Sequence, residues 1–121
     1  QVNVISPLYN LVKLKYLVLY ANQISKVGAL GNLNNLEKLD LGGNKIIDIL
    51  PLSKLEKLYS LEVQFNQISS IFGLDKLINI KILVVYGQSP PLKPTIENCE
   101  VYNNLKKNNV VIDTGTEDFK C

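Results

Sequence analysis

The 121 residues predict an α/β solenoid, with short parallel strands on a concave face, short helical or 3₁₀ returns on a convex face and a helical cap at the C-terminal end. Three observations carry this. Leu and Asn are over-used, at 20 and 14 copies; Asn22, Asn44 and Asn66 stand 22 residues apart; and apolar residues keep the same period. Seven periodic positions are apolar in all three full repeats, in a chain that is only 46% hydrophobic. Chance would give that roughly once in ten million sequences, so the period is structural. A unit this short cannot bury its own apolar face, so successive units must stack.

The elements follow in order. Val2, Ile5, Leu8 and Leu11 fall on the second half of an earlier turn, whose strand and Asn would precede Gln1. Residues 1–13 are thus expected to be a partial first repeat, with upstream residues missing. Full repeats occupy 14–35, 36–57 and 58–79, and a last strand lies in 80–88. In Leu17-Val18-Leu19, Leu39-Asp40-Leu41 and Leu61-Glu62-Val63 the alternation has period two, which points the outer residues inward and the middle one outward, as in a strand. The Asn after each strand has a donor and an acceptor on a short side chain, suited to backbone groups exposed where the chain turns inward. Asn22, Asn44 and Asn66 are expected to form an internal ladder. The returns space apolar residues by three, as in Ile49, Leu52 and Leu55, which is 3₁₀ spacing.

The repeat pattern is expected to fail at Gln88, which replaces Asn before a proline-rich turn at 89–94. Residues 93–121 read as a cap. Thr95 suits a helix N-cap, and Ile96, Cys99, Tyr102 and Leu105, spaced by three, are expected to face the last coil. Lys106 and Lys107 suit the helix C-terminus, Asn108-Asn109 a turn, and Val110-Val111-Ile112 a short strand before a polar tail from Asp113.

Composition narrows the function. All 13 basic residues are Lys, and His, Met, Trp and Arg are absent. Catalysis and metal binding therefore lack their commonest side chains. A net charge of +2 gives no bulk attraction to nucleic acid, and no apolar run reaches the ~20 residues of a membrane span. Gly28, Gly31, Gly42 and Gly43 have no following Lys and open no long helix, so no phosphate loop is implied. Lys54, Lys57, Lys106 and Lys107 read as solubilising charges. Cys99 and Cys121 admit either a disulfide stapling the tail to the cap helix or two free thiols. No catalytic residue, metal ligand or cofactor site is expected.

The strand positions between the buried leucines form three columns on the concave face. They are Tyr16, Lys38, Ser60 and Ile82; Val18, Asp40, Glu62 and Val84; and Tyr20, Gly42, Gln64 and Tyr86. Column neighbours lie ~4.8 Å apart. Asp40 and Glu62 would be side by side with Lys38 diagonal, giving an acidic centre for a partner's Lys or Arg. Tyr16, Tyr20 and Tyr86 would serve as aromatic anchors, and Phe65, Val18 and Val84 add apolar area. Gly42 and Gly43 suggest either a shallow gap for a partner side chain or local turn geometry before Asn44, the second being favoured.

These residues resemble the leucine-rich repeat proteins of the 22-residue subclass, found in bacterial internalins and in a regulatory subunit of protein phosphatase 1. Leu36-Glu-Lys-Leu39-Asp-Leu41-Gly-Gly-Asn44-Lys-Ile46 is similar to the signature L-x-x-L-x-L-x-x-N-x-L. Asn44-Lys-Ile-Ile-Asp48-Ile49-Leu-Pro51-Leu52-Ser-Lys-Leu55 resembles the internalin repeat, and part of it recurs at Ile5-Ser-Pro7-Leu8-Tyr-Asn-Leu11. The resemblance covers about residues 1–92. The C-terminal segment departs from it, being far too short for an immunoglobulin-like cap. The resemblance implies a non-catalytic module that binds a protein or peptide on the concave face. The favoured context is a secreted or cell-surface bacterial protein, and the alternative an intracellular adaptor or phosphatase-regulator relative. No nucleic acid partner and no membrane insertion are expected.

Overall fold

A computed structural model describes residues 11–115 and 119–121. The expected first-turn positions Val2, Ile5 and Leu8 lie outside the described residues. Five three-residue strands, β1 (Tyr16–Val18), β2 (Lys38–Asp40), β3 (Ser60–Glu62), β4 (Ile82–Val84) and β5 (Val111–Asp113), form one parallel sheet in sequence order. Between the first four, the register matches residues one period apart, such as Leu17, Leu39, Leu61 and Leu83. Expectation and structure differ at β5. The sequence suggests about four strands lining the face and a short strand Val110–Ile112 in the cap; the structure shifts that strand to Val111–Asp113, pairs it with β4 and places Asp113 beside Val84.

The apolar period becomes the core. Leu36, Leu39, Leu41, Leu58 and Leu61 are fully buried, each closed off by the coils on both sides. Burial of such a side chain is worth roughly 1.5–3 kcal/mol, and here only stacking supplies it. The returns contain 3₁₀ turns at Gly28–Asn32, Leu50–Lys54 and Leu74–Lys76. Spacing by three has a direct backbone meaning there. Leu52 N–H donates to Ile49 O and Leu55 N–H to Leu52 O, so the apolar residues facing the core also carry the i→i−3 bonds.

Asn44 accepts from Ile24 N–H and donates to Leu19, Leu41 and Gly42 carbonyls, so one side chain ties three segments of two coils. Asn66 repeats this one coil later with Ile46, Leu41, Val63 and Gln64. Asn22 bonds the Leu19 and Tyr20 carbonyls. The repeats end after Gln88 as expected, but the ladder does not break there. Gln88 accepts from Ile68 N–H and donates to Val63, Val85 and Tyr86 carbonyls, because a carboxamide one methylene longer offers the same donor and acceptor. Asn35 and Asn79 bridge coils on the outside, donating to Val12 and Glu56 carbonyls.

The cap is α1 (Ile96–Lys107), with Thr95 Oγ1 accepting from Asn98 N–H as its N-cap. The apolar face differs from the expected one. Ile96 is 91% exposed, and the buried stripe is Asn98, Val101 and Leu105. Steps of three residues drift by about 60° each on a 3.6-residue helix, so Ile96 and Leu105 point to opposite sides. Asn98 accepts from Ile71 N–H and donates to Ser69 and Lys93 carbonyls, satisfying backbone groups that a further coil would otherwise cover. Cys99 and Cys121 are joined by a disulfide, and Phe119 packs on Tyr102 at 5.4 Å between ring centroids.

Candidate binding face

Strand alternation decides which side chains face outward on the sheet. In parallel register, column one reads Tyr16, Lys38, Ser60, Ile82 and Val111; column two reads Val18, Asp40, Glu62, Val84 and Asp113. Exposure varies along them. Tyr16, Val18 and Tyr20 stand half to two-thirds exposed, Ile82 and Val111 are exposed, Asp40, Glu62, Val84 and Tyr86 are half-buried, and Lys38 is exposed. Ser60 and Gln64 are buried, so Gln64 offers less surface than its column position suggests.

The third column explains why. A methyl group on Gly42 would collide with the Gln64 carboxamide and the Tyr20 ring, so both neighbours already fill the gap that paired glycines suggest. Gly43, at φ +70°, is one of four equivalent left-handed positions with Ala21, Phe65 and Gly87. Turn geometry accounts for it. Asp40 Oδ1 accepts from Gly42 N–H at 2.9 Å, which fixes the carboxylate at the strand end. Gln64 Oε1 is buried with no hydrogen-bond partner among the described residues.

Aromatic rings line the ends of the strands. Phe65, half exposed, meets Tyr86 edge-on at 5.2 Å and lies on Gly87. Tyr86 in turn occupies the space a Cβ on Gly115 would need. The columns therefore bring together the expected Asp40, Glu62, Lys38, Tyr16 and Tyr20, while Asp113 and Val111 enter the face unannounced. Asp113 has no strand-leucine period around it, and the only signal for it is the apolar run at 110–112 that precedes it.

Among the described residues no group of three or more Cys, Asp or Glu side chains is placed to hold a metal ion. Among them, too, no helix is long and apolar enough to cross a membrane.

The family of leucine rich repeats (2 copies) matches at residues 12–56 and 34–76. No curated protein matches the sequence. Among solved structures, an internalin of Listeria monocytogenes superposes with a TM-score of 0.83 at 33% identity, over 93% of this chain and 31% of its own. Internalin C2 of the same organism gives 0.78 at 27% identity, over 92% and 46%. A leucine-rich repeat protein of Leptospira interrogans gives 0.61 at 25%, over 89% and 33%. The chain thus spans between about a third and a half of the length of these relatives.

Proposed function

We propose that this chain, which belongs to the leucine-rich repeat proteins, binds a protein or peptide partner on its concave strand face and carries out no chemistry of its own. The observation that supports this reading most is the make-up of that face. Exposed Tyr16, Val18, Tyr20, Ile82 and Val111 share one parallel sheet face with the carboxylates of Asp40 and Glu62. Aromatic anchors next to fixed charges are the usual ingredients of binding hot spots. An open sheet also lacks the enclosed pocket that catalysis by paired carboxylates requires.

The likeness to internalins and the Cys99–Cys121 disulfide favour a secreted or cell-surface protein, since such bonds persist in oxidising compartments. Two free thiols in the native chain, measured by mass under non-reducing conditions, would support the intracellular adaptor or phosphatase-regulator reading instead.

Affinity capture with the purified chain tests the binding face. Replacing Tyr20, Asp40, Glu62 and Tyr86 together with Ala is expected to reduce partner recovery at least about tenfold, with the fold intact by circular dichroism. Undiminished recovery overturns the assignment. So does recovery lost only when Ile47 and Phe72, exposed on the return side, are replaced with Asp.

A further inference from the structure

One constellation occurs twice on the strand face. In the first, Asp40 Oδ1 accepts from Gly42 N–H at 2.9 Å and the Tyr20 ring of the preceding coil lies on Gly42. In the second, Asp113 Oδ1 accepts from Gly115 N–H at 2.9 Å and Tyr86 of the preceding coil lies on Gly115. In each, the carboxylate keeps a second oxygen, and a tyrosine side chain flanks the same glycine. A carboxylate next to a ring suits an ammonium or guanidinium group, which hydrogen-bonds the first and is attracted to the face of the second.

The charge of the face points to a cationic ligand as well. The outward strand positions carry the carboxylates Asp40, Glu62 and Asp113 against one ammonium, Lys38, a net of −2 on a chain whose total is +2.

Resting on the strand face as the binding surface, we propose that it clamps two cationic side chains of one extended partner segment, one at the Tyr20–Asp40 pair and one at the Tyr86–Asp113 pair. The spacing follows from the register. β2 and β5 are three strand steps apart, about 14 Å at ~4.8 Å per step. An extended chain rises ~3.4 Å per residue, so side chains four residues apart lie about 14 Å apart on one side of the segment. The partner motif is Lys or Arg, three residues, then Lys or Arg. Glu62, between the clamps, raises the attraction along the path.

The test uses two short Gly/Ser peptides with two lysines each, four apart in one and two apart in the other, titrated into isotope-labelled chain by NMR. The four-apart peptide is expected to bind about fivefold or more tightly, because only it engages both clamps at once. It should shift the Gly42 and Gly115 N–H signals and the Gln64 side-chain amide, and weaken with added salt. Asp113→Asn, which keeps an acceptor for Gly115, should abolish the spacing preference, while Asp48→Asn on the return should change nothing. Equal affinity for the two peptides, or identical shifts with calcium chloride alone, overturns the proposal. If neither peptide binds but partner capture still depends on the strand face, the clamp is wrong and the face stands. Capture indifferent to that face overturns both.

Discussion

Four equivalent residues hold a left-handed backbone just before the ladder side chain: Ala21, Gly43, Phe65 and Gly87, with φ between 57° and 72°. Glycine takes this conformation freely, whereas phenylalanine pays on the order of 1 kcal/mol for it. The return on that strain is an aromatic ring at the strand ends, packed on Tyr86 and Gly87. Phe65→Gly therefore removes strain and a ring contact together, and each is worth about 1 kcal/mol. Urea denaturation should show a stability change within about 1 kcal/mol of zero. A loss of 3 kcal/mol or more would mean that the ring is a structural pillar of the stack. The ladder carboxamides behave differently. Asn66 is buried, and its loss strands Ile46 N–H and takes one of the donors from the Leu41, Val63 and Gln64 carbonyls, so Asn66→Ala should cost about 2–3 kcal/mol. Asn22, only half-buried, should cost less under the same denaturant series. Equal losses would show that the ladder is not what holds neighbouring coils together.

At the scale of elements, α1 takes the place of a further coil. Its buried stripe of Asn98, Val101 and Leu105 covers the last return, and Asn98 bonds Ile71 N–H and the Ser69 carbonyl. Spacing by three misleads here because it is the return's 3₁₀ period, and an α-helix advances 100° per residue rather than 120°. Val101→Ala is expected to cost about 2 kcal/mol, while Ile96→Asp, at a solvated position beside the N-cap, should leave stability nearly unchanged. The opposite ranking would return the apolar face to Ile96. The tail is held to this helix through Cys121, which closes a 22-residue separation. Reduction should lower stability by about 3 kcal/mol in the chain-entropy account. Cys121→Ser should show the same loss and no further response to reductant. A variant that still responds to reductant would exclude the pair as the source.

For the whole molecule, the period made four strands, their register and the three-column face legible, since a 22-residue repeat leaves one way to superpose Leu17, Leu39, Leu61 and Leu83. What escaped it lies where chemistry or topology departs from the period. Gln88 keeps the ladder by functional group rather than by residue type, β5 reaches the sheet only after a helix, and Gln64 is buried because the neighbouring Gly42 has no side chain. The same one-dimensional order governs stability. Each coil contacts only its neighbours, so protection should follow how completely both sides of a coil are covered. Leu39, Leu61 and Leu83 are almost wholly buried, whereas Leu17, the equivalent residue of β1, is partly exposed. Leu61→Ala should therefore cost roughly 3–5 kcal/mol, and Leu17→Ala about half as much. Native-state hydrogen exchange should rank the coils in the same way. Leu41 and Val63 N–H, which bond the next strand from within the stack, should exchange only in global opening. Leu19 N–H, bonded to Asp40 O from β1, should exchange through a cheaper local opening. Uniform protection along all five strands would mean that the chain unfolds as a single unit and that its coils do not act as separable layers.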